Sequence, residues 1–212
     1  DEAWKFYPCL RIAKDLMGIL DLTSLAINLH VITNNARFYK DMFEKEILNP
    51  GALKIYFYEG IQGDKLGQFL SGNSSLHIAM GTSCLEGAKI GLPSLLIDAS
   101  YHEMPSSYKY RWLFENTGFS LGDFIINQRD GFLGSSLQEI ITQLLTNETY
   151  RQDISRKCYN YVIDNHAIGS VTNSLLKLAD LSEARISGML KYCLRQNKLF
   201  NFVKGIFKSG QG

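Results

Sequence analysis

Cysteine is scarce in this sequence, and its cysteines are far apart. No two of them form a Cys-x-x-Cys pair, the spacing typical of redox and zinc sites. This usage favours a reduced, cytoplasmic setting over a disulfide framework. His102 and Glu103 lack partners at metal-ligand spacing, so we expect no protein-bound metal. The cysteines are Cys9, Cys84, Cys158 and Cys193.

Long apolar runs and an excess of charge are also missing. No run approaches the ~20 apolar residues of a membrane span, and no signal peptide is visible. The net charge of +1 offers no general attraction for nucleic acid. With 212 residues, 45% of them hydrophobic, the chain can bury a sizeable core. It opens on a charged segment without an initiating methionine, and we expect a further region of protein before Asp1.

Three catalytic fingerprints are absent as well. The dinucleotide motif G-x-G-x-x-G and the phosphate-binding loop G-x-x-x-x-G-K-[ST] do not occur, which argues against nicotinamide enzymes and NTPases. The nucleophile motif G-x-S-x-G is also missing, which argues against a Ser-His-Asp hydrolase. We assign the protein no cofactor.

Apolar periodicity alternates between helix and strand along most of the chain. This alternation predicts an α/β fold with a parallel sheet covered by helices on both faces. We expect a domain over residues 1–150 and a C-terminal helical segment over 151–212 that packs on it. The predicted strands are 25–33, 54–59, 76–80, 94–97 and 119–126. The predicted helices are 3–20, 36–47, 65–70, 84–90, 108–116, 137–145, 147–165 and 169–208.

Polar residues mark several predicted helix starts. Asp64 is expected to cap the helix over 65–70, and Ser135 or Ser136 the helix over 137–145. The helix over 108–116 begins with a basic and aromatic run, 108–112. That run is typical of a packed helix with a solvated face, and less so of a surface that stacks a base or binds diphosphate.

The most informative stretch is residues 76–98. A short apolar strand leads through Gly81 into a helix, which Gly91 and Pro93 bring to an end before the next strand. Such brief links predict a parallel strand–helix–strand crossover. Thr82 or Ser83 is expected to cap the helix, and Ser83-x-x-Glu86 fits a capping box.

The turn in this stretch has a chemical consequence. Gly81, Thr82 and Ser83 follow a strand and open a helix, where free N–H groups and the helix dipole favour an anion such as phosphate. Glu86 lies one turn further on and can accept hydrogen bonds from a ribose diol. A purely structural role for Ser83 and Glu86 as helix caps is about equally consistent with the pattern.

Two further loops follow predicted strands, at residues 33–37 and 60–63. Because carboxyl ends of parallel strands meet at one sheet edge, we expect these loops to lie near Gly81. Gly60 and Gly63 permit close approach of the backbone to a ligand, or simply turn the chain.

The stretch around Gly81 resembles the nucleotide-sugar-binding half of GT-B glycosyltransferases. There a strand, a small-residue turn and a helix with L-E-x-x-x-x-G-x-P hold the donor, and residues 85–93 match that motif. The resemblance implies that Glu86 contacts the ribose and that Gly81, Thr82 and Ser83 contact the diphosphate. The opening Asp-Glu-Ala-Trp-Lys resembles the family segment R-x(n)-D-E-x-K, which gives Lys5 a phosphate-binding role.

The resemblance also implies a Rossmann-like donor-binding domain, with Gly60 and Ile61 in the donor site. Its function would be to move a sugar from a nucleoside-diphosphate sugar to a glycan or lipid-linked acceptor, in bacterial surface-polysaccharide biosynthesis. The family's earlier glutamate, in the pattern E-x7-E, is replaced here by Ile78. The catalytic base belongs to the other half of such enzymes, so we expect these residues to be inactive alone. The alternatives are half of a nucleotide-sugar epimerase and a non-catalytic nucleotide-binding or interaction module.

The tail over residues 185–208 is basic and carries no acidic residue. Basic charges among aliphatic and aromatic residues are typical of a helix in the interface of an anionic membrane. Peripheral contact with the inner face of a membrane is one expectation for this tail. Packing on another half of the protein, or on another chain, is the alternative.

Overall fold

The computed structural model describes residues 3–22, 25–116, 121–125 and 134–181. The chain divides into two compact units, with the division after Asp164. The first unit holds all the described strands, and the second holds the whole of the last described helix.

Helices and strands alternate through the first half of the chain. The strands are β1 Asn28–Thr33, β2 Lys54–Glu59, β3 His77–Ala79, β4 Ser94–Leu96 and β5 Arg111–Trp112. The helices are α1 Ala3–Leu22, α2 Ala36–Glu46, α3 Asp64–Asn73, α4 Ser83–Ala88, α5 Leu137–Thr146, α6 Glu148–His166 and α7 Ile168–Leu181. A 3-10 turn covers Leu113–Glu115.

The described strands form two sheets rather than one. β1 pairs with β2 in parallel, and β3 pairs with β4 in parallel, as the alternation of elements predicts. β5 then runs antiparallel to β4, which places Leu95 opposite Trp112. The α/β class is confirmed, and the antiparallel strand departs from the all-parallel expectation.

Aromatic side chains of α2 and α3 pack against neighbouring residues of β2. Phe43 of α2 packs edge-on against Phe57 on one face, with ring centroids 5.4 Å apart. Phe69 of α3 packs against Tyr58 on the other face, with centroids 4.8 Å apart. This arrangement follows from the period of two in β2, because Phe57 and Tyr58 point to opposite sides of the strand.

Proline inside α1 fixes a contact with the rest of the fold. Pro8 has no N–H to donate to the carbonyl of Trp4, four residues earlier. That carbonyl instead accepts the N–H of Ser100, at 3.0 Å, in the loop after β4. Further along α1, the Asp15 carboxylate accepts the hydroxyl of Tyr110 at 2.7 Å. α1 is therefore bonded at two points to the connection between β4 and β5.

The predicted helix over 108–116 is wrong. Tyr108, Tyr110 and Trp112 are buried, while Lys109 and Arg111 between them are partly exposed. This period of two is the signature of a strand, and the segment pairs with β4 as β5. Burial raises the pKa of the Tyr110 hydroxyl, and the nearby Asp15 carboxylate adds to the effect.

Two predicted caps have different outcomes. Ser136 and Glu139 form the reciprocal capping box at the start of α5, which confirms that prediction. Asp64 is the first residue of α3 rather than its cap, because Gly63 occupies the cap position with φ +57°.

The other elements agree with the sequence to within a few residues. Leu95 and Leu96 of β4 are fully buried, and the thiol of Cys158 in α6 lies 3.4 Å from the Ser94 amide. Within the described ranges, no helix is long and apolar enough to cross a membrane. The predicted membrane-contacting tail, 185–208, and most of the final predicted helix lie outside those ranges. Of the strand predicted at 119–126, the described residues 121–125 form a single bridge, from Phe124 to Ala99, rather than a strand.

Candidate functional site

The turn after β3 has a different hydrogen-bond pattern from the predicted capping box. Gly81 has φ +60°, and its N–H donates to the Leu121 carbonyl at 2.7 Å. Thr82 occupies the cap position in helical conformation, φ −62° and ψ −20°, and its side chain caps nothing. Ser83 is the first residue of α4. The predicted Ser83–Glu86 capping box does not form, because Ser83 lies inside the helix and the Glu86 carboxylate pairs with Lys89.

The same geometry leaves two backbone donors available at this turn. Thr82 and Ser83 are exposed, and within the described residues their N–H groups have no hydrogen-bond partner. The N–H groups of the next two residues bond back to the carbonyls of Gly81 and Thr82. Adjacent unpaired amides at the carboxyl end of a parallel strand can donate to an anion.

Glu86 lies one turn into α4 and pairs with Lys89 rather than with the helix start. Its side chain is 32% exposed. The ion pair uses Oε2, which is buried and makes no hydrogen bond, and among the described residues Oε1 has neither an ion pair nor a hydrogen bond. Glu86 therefore retains one oxygen for a ligand hydroxyl.

His77 of β3 makes a hydrogen bond to the turn. Its Nε2 lies 3.0 Å from the Ser83 carbonyl oxygen and donates to it. The ring lies against Gly87 of α4, where a Cβ would come within 2.5 Å of it. Burial lowers the pKa of His77, while the Ser83 hydrogen bond and the Glu86 charge act in the opposite direction. His77 is therefore a residue of β3 that packs against α4.

Segment 121–125 places Lys5 at the same edge of the fold as this turn. Leu121 accepts from Gly81, and three residues on, Phe124 forms a parallel bridge with Ala99. The Phe124 ring lies 6.0 Å from the ring of Trp4. The Lys5 ammonium lies over that Trp4 ring, 4.9 Å from its centroid.

The two other predicted loops meet each other at the end of the β1–β2 sheet. Glu59 ends β2, and its carboxylate accepts the N–H of Ala36 at 3.0 Å, at the first residue of α2. Gly60 and Gly63 follow with φ of +73° and +57°, and Ile61 between them is half-buried. The predicted site residues are therefore spread over the ends of two sheets.

Sequence reasoning missed a buried polar cluster just beyond β4. The Asp98 carboxylate is 1% exposed and accepts from the Tyr108 hydroxyl at 3.0 Å. It also accepts from Arg111 at 2.6 Å and from the Asp123 N–H at 3.0 Å. Burial and the Asp98 charge both raise the pKa of the Tyr108 hydroxyl. No local signal identifies these partners, because they lie 10 to 25 positions along the chain.

Comparison with known proteins adds no assignment. No protein-family model matches the chain, and neither the curated proteins nor the solved structures searched include a match. In the described part of the chain, no group of three or more His, Cys, Asp or Glu residues is placed to hold a metal ion.

Proposed function

We propose that this chain is the donor-binding C-terminal half of a glycosyltransferase that uses a nucleoside-diphosphate sugar. The observation that carries the proposal is the parallel β3–α4–β4 unit, whose opening turn presents two unpaired amides beyond the end of β3. An L-E-x-x-x-x-G-x-P run in that unit ends at Gly91, with φ +82°, and Pro93, as the family resemblance implies.

Each candidate residue has a role that its geometry permits. The N–H groups of Thr82 and Ser83 donate to the diphosphate, while Gly81 shapes the turn and has its own N–H engaged by Leu121. Lys5 supplies positive charge at the same edge. Glu86 accepts a ribose hydroxyl through Oε1.

These contacts also suit the chemistry of sugar transfer. Breaking the bond between the sugar and the diphosphate leaves negative charge on the departing phosphate. Fixed backbone donors and an ammonium group stabilise that charge as it develops. The residues that bind the diphosphate would therefore also assist its departure from the sugar. The catalytic base comes from another part of the enzyme.

We also propose that the two sheets belong to one Rossmann-like arrangement, with Gly60 and Ile61 beside the donor. The helix α1 supports this, because Phe6 packs against Phe43 of α2, with centroids 5.6 Å apart, while Asp15 bonds to Tyr110 beside β5. The acceptor in this proposal is a glycan or a lipid-linked sugar of bacterial surface-polysaccharide biosynthesis, and the protein works on the cytoplasmic side.

Thermal unfolding with UDP, GDP, CDP and ADP tests the proposal. A ligand that binds only the folded chain at 100 times its dissociation constant adds about 2.7 kcal/mol of stability. We expect one diphosphate to raise the melting temperature, and the matching nucleoside to raise it less because it lacks the phosphates. If all four diphosphates leave the melting temperature unchanged, the donor-binding role is wrong.

A further inference from the structure

Three aromatic rings line up at the edge that carries the candidate site. The ring of Tyr101 stacks on the ring of Phe124, with centroids 5.7 Å apart and planes within 6° of parallel. Trp4 follows on, tilted by 52° at 6.0 Å from Phe124. Tyr101 and Phe124 are 52% and 50% exposed, so the first unit leaves two large stacked rings half open to solvent.

Backbone hydrogen bonds hold these rings in place. The Ser100 N–H donates to the Trp4 carbonyl that Pro8 leaves unpaired in α1. The Ser100 hydroxyl bonds both the N–H and the carbonyl of His102, at 3.2 and 2.7 Å, which closes a tight turn around Tyr101.

Phe124 is fixed in the same way by its chain neighbours. Ala99 donates to the Asp123 carbonyl at 2.8 Å and accepts from the Ile125 N–H at 2.9 Å, one residue on either side of Phe124. The two rings are therefore pre-organised, which lowers the entropic cost of binding a ligand on them.

The exposed rings suit a sugar. One side of a pyranose ring presents C–H groups, whose hydrogens carry partial positive charge and are attracted to the negative face of an aromatic ring. In this pair, the face that can receive them is the side of the half-exposed Tyr101 ring that does not stack on Phe124. His102 adjoins Tyr101 in the chain and is exposed, and its ring nitrogens can bond to sugar hydroxyls.

We propose that Tyr101 and Phe124 form a platform that binds a pyranose ring. The platform lies close to the candidate phosphate site, because Leu121 contacts Gly81 and lies three residues, at most about 11 Å, from Phe124. The sugar belongs either to the donor or to the acceptor glycan. The donor alternative rests on the proposed function, whereas binding of a free glycan does not.

Fluorescence of Trp4 can report on the platform. The sequence has two tryptophans, and a Trp112→Phe background leaves Trp4 as the single tryptophan. The sugar probes are neutral tetrasaccharides of glucose, galactose, mannose and N-acetylglucosamine. The nucleotide probes are UDP, GDP, CDP and ADP, each with and without an attached glucose.

Tyr101→Ala and Phe124→Ala remove the rings of the platform. Tyr56→Ala is the matched control, because Tyr56 is 41% exposed and stacks on His30 in the other sheet.

We expect a sugar-dependent change in Trp4 emission. Each platform variant should bind about three- to tenfold more weakly, and Tyr56→Ala should bind as the parent does. A response to a tetrasaccharide assigns the platform to an acceptor, and a response to a glucose conjugate beyond that of its diphosphate assigns it to the donor.

Any one of three results would contradict the proposal that Tyr101 and Phe124 bind a sugar. They are no response to any sugar-bearing probe, an equal response in Tyr101→Ala, and a Tyr101-dependent response to the diphosphates alone. Failure of the proposed function appears separately, as unchanged melting with every diphosphate.

Discussion

Arg111 and Asp98 form a buried ion pair, with the guanidinium Nη2 2.6 Å from Oδ1 of a carboxylate that is 1% exposed. The same oxygen accepts the N–H of Asp123, and the second oxygen accepts the Tyr108 hydroxyl. This cluster holds β5 and segment 121–125 against the end of β4, and so helps to position the edge where the candidate site lies.

Removing Arg111 alone should be strongly destabilising. Arg111→Met leaves the Asp98 charge buried without its cation, and we expect a loss of about 3–5 kcal/mol in the free energy of unfolding. Urea denaturation measures it. The double variant Arg111→Met with Asp98→Asn removes both charges and should recover part of that loss. A single-variant loss below about 1 kcal/mol would contradict the buried pair.

Gly87 should not tolerate a side chain. A Cβ there would lie 2.5 Å from the His77 ring, so Gly87→Ala should cost about 1–3 kcal/mol through overpacking. Gly67→Ala in α3 is the matched control, since its Cβ would meet nothing within 4 Å and alanine favours a helix. Thermal denaturation compares the two. Equal stability of both variants would show that His77 does not lie against Gly87.

Stability should fall in mild acid because of His77. Burial lowers its pKa in the folded state, while in the unfolded chain the pKa is about 6.5. Below about pH 6.5 the unfolded chain binds a proton that the folded chain does not, so stability declines until the pH reaches the folded-state pKa.

The variant His77→Gln isolates that contribution. Glutamine can still donate to the Ser83 carbonyl but does not titrate, so the decline between about pH 7 and pH 5 should be shallower than in the parent. Urea denaturation across this range measures both chains. Carboxylates titrate alike in the two, so parallel curves would mean that His77 titrates normally.

Glu86 should contribute to nucleotide binding through its charge. Glu86→Gln keeps the size of the side chain but makes a weaker acceptor, and we expect about fivefold weaker binding of a nucleoside diphosphate. Lys89→Met is the control, because it removes the ion-pair partner and leaves the carboxylate, and its affinity should be no lower than the parent's. Calorimetric titration gives both values. Unchanged affinity in Glu86→Gln would leave that residue a structural role only.

Local patterns predicted much of the fold. The strand 54–59 has the bounds expected from its β-branched and aromatic residues, and Ser136 caps α5 as expected. Gly91 adopts φ +82°, which its place at a helix end requires. Each of these features depends on residues a few positions apart.

The failures arise where distant or competing partners decide the structure. Ser83 and Glu86 fit a capping box, yet Glu86 pairs with Lys89 on the next turn of the helix. The large aromatic residues Tyr108, Tyr110 and Trp112 alternate with basic ones, which fits a strand, and pairing with β4 favours that structure over the predicted helix. The stacking of Tyr101 on Phe124 and the bond from Gly81 to Leu121 link residues 23 and 40 positions apart, which local patterns do not specify.

The most direct test of the account is calorimetric binding of nucleoside diphosphates to a pair of Thr82 variants. Thr82→Pro removes the unpaired N–H at a position whose φ of −62° already suits proline, while Thr82→Ala keeps that N–H and removes only the hydroxyl. We predict that the parent chain binds one of UDP, GDP, CDP and ADP, that the alanine variant binds it within about threefold, and that the proline variant binds it about tenfold more weakly. Equal affinity of the proline and alanine variants, or no binding by the parent, would contradict a diphosphate site at this turn.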